Sequence, residues 1–432
     1  MVLIYGFAAV IAAGTILLML PVSSRTGEPT PPVNALFTAT SAVCVTGLVV
    51  VDTGSYWSPF GQTVLLILFQ VGGFGFMTSA SIIFMAMGRR IGLRERLFIG
   101  QSMGTQSPGG MVRLVRESAK FTLMAEGAGT IFLFLRFLIG GVSFGLALWR
   151  ALFHAVSAFT NCGMDILGDF KSLADYQKDP VVLLTIAVLF ILGGIGYIVV
   201  ADVFTKRSFG KLLTDSKIVL VTTASLLIFG TIFILWSESS NTLGVFSLPQ
   251  KLLISFFQSA TPRSAGFTAI DIGKMREASL FLVMFLMFIG GASGSTAGGV
   301  KVSTLGVLIA AALNSARGRE GPVAFGRQIP PANVYRALAL VIFCLGLVSV
   351  VVPVLSLTEG FGFVSLLFEA FSALSTVGLT TGITPGLSVA GRLVVALSMF
   401  VGRLGPLVFI SVITGRQQPI IYHYPKDNIR LG

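Results

Sequence analysis

Long apolar runs alternate with short polar stretches along the chain, and eight of these runs dominate its pattern. Most of them approach the roughly 20 residues that an α-helix needs to cross the hydrocarbon core of a bilayer. The runs are 2–20, 64–87, 121–142, 181–200, 218–236, 280–291, 337–357 and 393–413. The pattern therefore predicts an all-α integral membrane protein with eight spanning helices in a lipid bilayer. The first run is a poor signal peptide, because no Lys or Arg precedes it.

Four half-length segments lie between the spanning runs, and each of them ends on a glycine. These glycines, Gly47, Gly163, Gly266 and Gly378, are separated by 116, 103 and 112 residues. A phenylalanine lies ten residues before each glycine, at positions 37, 153, 256 and 368, and a small residue lies six before, at 41, 157, 260 and 372. Such recurrence over a whole chain indicates a repeat architecture. Helix-packing glycines, which are common in membranes, do not explain the matched columns.

Each repeat combines a spanning run, a half-length segment and a second spanning run. The sequence thus divides into four units, 1–87, 121–204, 218–310 and 335–414, followed by a C-terminal tail, 415–432. Because a half-length segment enters and leaves the membrane on one side, we expect a re-entrant pore helix and a loop. Backbone outside a helix survives at membrane depth only where protein or a water-filled cavity surrounds it. Four such loops predict a pseudo-fourfold pore.

The residues at the end of each half-length segment suit cations. A short helix that enters from outside points its partially negative C-terminus towards the middle of the membrane. The extended backbone after it can offer a ring of carbonyl oxygens that replaces the hydration shell of K⁺, and glycine accepts a positive φ there. The candidate selectivity filter comprises Cys44, Val45, Thr46, Gly47, Thr160, Asn161, Cys162, Gly163, Arg263, Ser264, Ala265, Gly266, Ser375, Thr376, Val377 and Gly378.

A glycine-rich break, GGASGSTAGGVK, interrupts the second spanning run of the third unit between Gly290 and Lys301. Glycine and serine at this density unwind a helix. A phosphate-binding loop of the Walker type is a poor alternative, because Val300 separates the last glycine from Lys301. The equivalent positions elsewhere are 72–75, 193–196 and 402–405, and in the fourth unit Arg403 takes the place of a glycine.

The distribution of charge predicts the topology. The net charge is +12, and the stretches 88–120, 205–217, 311–336 and 415–432 hold more than half of the 30 basic residues. The positive-inside rule places these stretches, and with them both termini, in the cytoplasm. Topology thus explains the basicity better than a nucleic-acid partner does. Three cysteines and two histidines show no metal-ligand spacing or catalytic cluster, so the sequence does not predict an enzyme.

The four glycines, the GGASGSTAGGVK break and the sequence MFVGRLGPL of the fourth unit resemble the Trk/Ktr/HKT superfamily of potassium transporters, most of all its bacterial KtrB-type membrane subunits. The resemblance covers essentially the whole chain. It implies four membrane–pore loop–membrane units, Na⁺-dependent K⁺ uptake across the bacterial plasma membrane, and a homodimer with one pore per subunit. It also implies a separate cytosolic regulatory ring that binds nucleotide, so that K⁺ is the substrate and this chain binds no cofactor. Relatives with serine in the first loop tend to pass Na⁺, so Gly47 implies a preference for K⁺.

The resemblance makes the glycine-rich break an intramembrane loop that obstructs the pore beneath the filter. The candidate gate residues are Gly290, Gly291, Ala292, Ser293, Gly294, Ser295, Thr296, Ala297, Gly298, Gly299, Lys301 and Arg403. Two interpretations of Arg403 stay open. Its charge either lies beside the conduction path and repels a bound cation, as intramembrane charge often marks an ion pathway, or its side chain is structural and binds loop carbonyls.

Other polar residues near the filter have weaker signals. His154 and Glu369 share the position nine residues before the loop glycine, where a structural role is favoured. Three aspartates lie within five residues after a glycine: Asp52, Asp165 and Asp271. Carboxylates at an outer mouth would concentrate cations, or they would pair with Arg263 or other local bases.

Two further classes of function compete with a channel-like transporter. An alternating-access secondary transporter also binds ions at the midplane with discontinuous helices. That class usually shows two repeats, whereas this sequence shows four in one orientation. A membrane enzyme is disfavoured, because no catalytic cluster is visible.

Overall fold

The computed structural model describes residues 2–75, 111–318 and 321–405, and helices make up most of it. The helices are α1 (Val2–Met19), α2 (Pro32–Val43), α3 (Pro59–Phe74), α4 (Met111–Ile139), α5 (Phe144–Phe159), α6 (Pro180–Ile195), α7 (Tyr197–Lys206), α8 (Thr214–Glu238), α9 (Leu248–Ala260), α10 (Glu277–Phe288), α11 (Val302–Ala316), α12 (Pro331–Thr358), α13 (Phe363–Leu374) and α14 (Val389–Leu404). Strands β1 (Val323–Ala324) and β2 (Arg327–Gln328) form an antiparallel pair between α11 and α12.

Three of the described helices are long and apolar enough to cross a membrane by length and composition. They are Val112–Ile139 within α4, Thr214–Glu238 and Pro331–Thr358, and the bent pair α6–α7 adds a fourth candidate. Six further apolar helices are shorter, with 10–17 residues, and Ile4–Met19 within α1 is one of them. Eight complete spans stay a prediction, because 76–87, 406–414 and the tail 415–432 lie outside the described residues.

In every unit, and not in the third alone, a helix ends within the second apolar run. Helices α3, α6 and α14 end at Gly75, Gly196 and Gly405, which have φ of 78°, 81° and 84°. The chain bends by 94° between α6 and α7, so the apolar run 181–200 forms a bent pair of helices. A glycine is needed at these ends because a side chain disfavours the left-handed region.

The half-length segments form α2, α5, α9 and α13, which contain 12, 16, 13 and 12 residues. Proline at the first or second position starts α2 and α9, where its missing N–H leaves no bond unmade. Each of the four helices ends a few residues before its glycine, as the sequence predicts.

The third unit is shifted by one residue within its half-length helix. Within the half-length helices the fully buried phenylalanines are Phe37, Phe153, Phe257 and Phe368, so Phe257 takes the place that the sequence pattern assigns to Phe256. The turn after the helix differs accordingly. Thr46, Cys162 and Val377 each donate their N–H to the carbonyl five residues before, whereas Ala265 donates to the carbonyl of Thr261, four before.

The units pack in a closed cycle. Within a unit the first helix lies on the half-length helix, as α1 does on α2 and α4 on α5. Each second helix then contacts the half-length helix of the next unit: α3 packs on α5, α6 on α9, α10 on α13, and α14 on α2. The half-length helices therefore lie at the centre, and the four glycine-terminated segments that follow them meet there.

Candidate functional site

The four glycine segments, 44–47, 160–163, 263–266 and 375–378, have positive φ angles at the same two positions. The glycines have positive φ angles of 94°, 75°, 77° and 91°. The residue two positions earlier is also left-handed in every unit: Val45 (54°), Asn161 (62°), Ser264 (72°) and Thr376 (49°). Left-handed non-glycine residues are uncommon, and strained ones cluster at functional sites. From the sequence, a positive φ is expected only at the glycines. The positive φ two residues before each glycine is therefore a finding of the structure.

A ring of four backbone carbonyl oxygens joins these segments. A Cβ added to Gly47 would lie under 3.0 Å from the carbonyl oxygen of Cys162, and one on Gly163 would meet that of Ala265. In the same way Gly266 lies against the oxygen of Val377, and Gly378 against that of Thr46. Each carbonyl therefore abuts the glycine of the preceding unit, and the contacts close from the fourth unit to the first.

The carbonyls of this ring are buried and lack hydrogen bonds. Thr46, Cys162, Ala265 and Val377 are each 0 % exposed. Within the described parts of the chain, no hydrogen bond reaches any of their four carbonyl oxygens. Buried carbonyls are almost always paired, and a ring of unpaired ones is an arrangement that binds a dehydrated cation.

Hydroxyl side chains form hydrogen bonds with the backbone of the glycine segments or of the residues that follow them. Ser41 and Ser372 accept hydrogen bonds from the N–H of Gly47 and Gly378, each at 3.1 Å. Ser157 donates to the carbonyl of Met164 at 2.7 Å, and Thr261 to that of Phe267 at 2.5 Å. The sequence shows the small-residue column without assigning it a role. The available signal was a hydroxyl residue six positions before the glycine in three units, and in the third unit the hydroxyl lies five positions before it, on Thr261.

The other predicted filter residues have distinct positions. Cys44, Thr160 and Ser375 cap the ends of α2, α5 and α13. Ser264 donates its hydroxyl to the carbonyl of Thr376 at 2.8 Å and so links the third and fourth segments. The side chain of Arg263 extends towards α8, where its Nη1 donates to the carbonyl of Thr223 at 3.4 Å.

The glycine-rich loop, 289–301, connects α10 to α11. Gly290 donates its N–H to the carbonyl of Val300 at 2.8 Å, and Val302 donates to that of Gly291 at 3.0 Å. Ala292 donates to the carbonyl of Gly194 at 2.8 Å, which binds the loop to the end of α6. The loop therefore has backbone partners inside and outside itself, although it is not helical.

The loop lies directly against the glycine segments. Gly298 donates its N–H to the hydroxyl of Ser264 at 3.0 Å, and a Cβ on Gly298 would collide with Thr376. Gly299 lies against Ser375. The Nζ of Lys301 donates a hydrogen bond to the carbonyl of Ala297 at 2.7 Å. The charge of this lysine therefore lies against the loop itself.

The tip of the loop is the part most open to solvent. Ser293 is exposed, and Gly294, Ser295 and Thr296 are half-buried. Ser295 donates its hydroxyl to the carbonyl of Ala292 at 2.6 Å. Ser293 lies 3.2 Å from the hydroxyl of Ser303.

Arg403 joins the loop to the first unit. Its Nη1 donates to the carbonyl of Thr296 at 2.5 Å, and its Nη2 donates to the carbonyl of Gly72 at the end of α3. These are the loop-carbonyl bonds of the structural interpretation. The guanidinium nevertheless carries its charge into the centre of the protein, between the loop and the glycine segments, so the electrostatic interpretation also stays open.

The remaining polar residues stabilise the surroundings of the ring. Glu369 accepts hydrogen bonds from the hydroxyls of Thr380 at 2.8 Å and Thr384 at 2.5 Å. The Nδ1 of His154 lies 2.6 Å from the carbonyl of Arg150. Both contacts agree with the structural role that the sequence favours.

The three aspartates bind nearby backbone groups. Asp52 accepts from the N–H of Ser55 and Phe170, each at 2.7 Å, and so ties the first unit to the second. Asp165 accepts from Leu167 at 3.1 Å, and Asp271 forms an ion pair with Lys274 at 3.1 Å. Arg263 makes no ion pair with them in the described structure.

Comparisons with known proteins match the whole chain. The family model of TrkH, described as a cation transport protein, matches residues 1–417. The Ktr system potassium uptake protein B of Bacillus subtilis is 40% identical over 433 residues, which cover 100% of this chain and 96% of that protein. The potassium/sodium uptake protein NtpJ of Enterococcus hirae is 40% identical over 436 residues, covering 99% and 96% of the two chains.

A solved structure shares the fold. The crystal structure of the potassium transporter TrkH from Vibrio parahaemolyticus superposes with a TM-score of 0.74 at 19% identity, over 95% of this chain and 83% of that one. The match supports a multi-pass membrane transporter fold. The matched family and relatives are described as ion transporters, not as enzymes.

Proposed function

Because this chain belongs to the TrkH family of cation transport proteins, we propose that it conducts K⁺ through a channel-like pore. The pore lies between the four units, and its selectivity filter is formed by the glycine segments 44–47, 160–163, 263–266 and 375–378. Names of relatives that contain "potassium uptake" support K⁺ as the transported ion.

The observation that carries this proposal is the ring of four unpaired carbonyl oxygens. The oxygens of Thr46, Cys162, Ala265 and Val377 are supplied by four units in cyclic order. They are buried without a hydrogen bond from the described residues, and a dehydrated cation would satisfy them. Gly47 and the other glycines keep side chains out of the space where these oxygens meet.

The glycine-rich loop acts as the gate in this proposal. It lies against Ser264, Thr376 and Ser375 and is held at its other side by Gly194 and Arg403. Opening requires the bonds from Ala292 to Gly194 and from Arg403 to Thr296 to break. Arg403 is then a latch whose charge also lowers the affinity of a cation below the filter.

The wider assembly follows from the same family. We infer eight spanning helices with both termini in the cytoplasm of a bacterial cell, a homodimer, and a cytosolic nucleotide-binding ring as regulator. The relatives whose names assign them to a "Ktr system" support a multi-component transporter. A relative named for potassium and sodium supports Na⁺ dependence.

The test is ion flux through the purified protein in liposomes. We expect K⁺ flux down its gradient that exceeds Na⁺ flux at matched concentrations, and no flux in empty liposomes. Equal K⁺ and Na⁺ flux would contradict the filter. Uphill K⁺ movement that requires a stoichiometric Na⁺ gradient would favour the alternating-access transporter instead.

A further inference from the structure

Glu126 is a buried acidic residue that lies outside the proposed pore. It lies near the middle of α4, within the candidate span Val112–Ile139, and is 5 % exposed. An ionised carboxylate in such a place is costly unless it is paired. Ionisable residues inside spanning segments are therefore functional candidates by default.

The partner of Glu126 is the amide of Gln70 on α3. The Nε2 of Gln70 donates to the Oε2 of Glu126 at 3.2 Å. The two other oxygens of this pair, Oε1 of Glu126 and Oε1 of Gln70, are buried and have no partner among the described residues. Two acceptors are thus left without a donor, although buried polar atoms are normally satisfied.

A single proton on Glu126 would give both unpaired oxygens a hydrogen-bond partner. A protonated carboxyl is a donor as well as an acceptor, so an O–H on Oε1 of Glu126 can donate to Oε1 of Gln70. The carboxylic acid and the primary amide then form a cyclic pair with two antiparallel hydrogen bonds. We propose that Glu126 and Gln70 form a proton-binding site between the first and second units, with Glu126 held as the neutral acid.

The elements around the pair supply few competing charges. Helices α3 and α6 contain no Asp, Glu, Lys, Arg or His. On α5 the titratable residues are Arg150 and His154, near the middle of the helix, and His154 is bound to the carbonyl of Arg150. On α4 itself the inner end carries Arg113, Arg116 and the pair Glu117–Lys120, about two or more helical turns from Glu126. Arg136 pairs with Asp179 at the outer end.

The pair lies near the C-terminal end of α3, so the protonation of Glu126 affects that helix end. Gln70 lies two residues before Gly72, whose carbonyl accepts the bond from Arg403. Loss of the proton would remove the bond between the two Oε1 atoms and leave a buried carboxylate. The pair then ties α3 to α4 only by the bond from Nε2 of Gln70 to Oε2 of Glu126.

Infrared difference spectroscopy of the purified protein tests the proton directly. At neutral pH we expect the spectrum of the wild type minus that of Glu126→Gln to contain a protonated-carboxyl C=O band, because the variant lacks this one acid. Gln70→Leu should keep the band but shift its frequency, because the amide donor is gone. The matched control is Glu117→Gln, which changes an exposed carboxylate on the same helix and should leave the band unchanged.

The pH dependence of thermal stability gives a second readout. A proton bound in the folded state and released on unfolding makes the wild type lose stability as pH rises. Glu126→Gln should remove that part of the dependence, whereas Glu117→Gln should keep it. A carboxylate band in place of the acid band, or identical pH dependence in wild type and Glu126→Gln, would overturn the proposal. Neither measurement requires transport, so failure here is separate from failure of the proposed pore.

Discussion

At the scale of single residues, the ring of carbonyl oxygens depends on glycines, because a Cβ at these positions would collide with it. Gly47 has φ of 94°, and its missing Cβ leaves the space that the carbonyl oxygen of Cys162 occupies. The same relation recurs at Gly163, Gly266 and Gly378. A side chain at any of these glycines must therefore displace a carbonyl of the neighbouring unit as well as strain its own backbone.

Gly47→Ser should reduce the preference for K⁺ over Na⁺ on the order of tenfold, which corresponds to about 1.4 kcal/mol. The reason is that the new Cβ moves the oxygen of Cys162 out of the ring. The matched control is Gly27→Ser, because Gly27 is also left-handed, at 74°, but has open space around it. The measurement is K⁺ and Na⁺ uptake at matched concentrations, and unchanged selectivity in a folded Gly47→Ser protein would contradict the filter assignment.

Arg403→Gln should lower thermal stability and raise K⁺ flux in the absence of a regulator. Hydrogen bonds from a charged group contribute about 1.5–3 kcal/mol each, and Arg403 donates two, to Thr296 and to Gly72. Arg403→Lys retains the charge and should retain part of the hydrogen bonding that holds the loop closed.

The control for Arg403 lies on the same helix. Arg392 donates to Asn34 at 2.6 Å and to the carbonyl of Pro385 at 3.0 Å, away from the loop. Arg392→Gln should lower stability without raising flux. Apparent K⁺ affinity distinguishes the two interpretations of Arg403: it increases in Arg403→Gln if the charge acts on the ion, and it is unchanged if the side chain is only structural.

At the scale of elements, the glycine-rich loop differs from the breaks in the other units. Helices α3, α6 and α14 each end at one left-handed glycine, whereas α10 and α11 are separated by the whole loop 289–301. The loop is held by bonds to Gly194, Ser264 and Arg403, which belong to three different units. A segment with partners in several units is suited to respond to a movement between them.

Deletion of residues 293–295 should raise K⁺ flux several-fold in liposomes without a regulator. The shortened loop cannot reach both Gly194 and Ser264, so it no longer covers the glycine segments. The control is Ser293→Ala, because Ser293 is exposed and its hydroxyl lies beside that of Ser303 on α11, away from the glycine segments. Equal or lower flux in the deletion, at normal protein level and with K⁺ selectivity preserved, would count against a gate.

At the scale of the whole molecule, the cyclic packing demands one orientation of all four units. The contacts of α3 with α5, α6 with α9, α10 with α13 and α14 with α2 repeat the same pairing. The half-length helices can meet at one centre only if they enter from the same side. The connections between α7 and α8 and between α8 and α9 then lie on opposite sides of the membrane.

Cysteine labelling should show this topology. Val245 is 87% exposed between α8 and α9, and Phe209 is 51% exposed between α7 and α8. We expect Val245→Cys to react with a membrane-impermeant maleimide in intact cells and Phe209→Cys to react only after permeabilisation. The parent protein sets the background, since Cys44 and Cys162 are buried and Cys344 is half-buried. Labelling of both variants from one side would contradict the proposed topology of α8.

The sequence by itself determined the local features of this protein. Apolar runs predict its helices because a backbone in an apolar medium must satisfy its own hydrogen bonds. The columns of Gly47 and Phe37 indicate a repeat, and glycine density predicts the break after α10. The family resemblance seen in these motifs is confirmed by the match over residues 1–417.

Only the tertiary structure decided which remote groups meet. Arg403 and Gly72 are 331 residues apart, and Glu126 and Gln70 are 56 apart, so no local pattern can pair them. The shift from Phe256 to Phe257 and the bend at Gly196 likewise depend on how each helix end fits its neighbours. Local periodicity reports which face of an element is apolar, whereas these contacts arise from the packing of several elements at once.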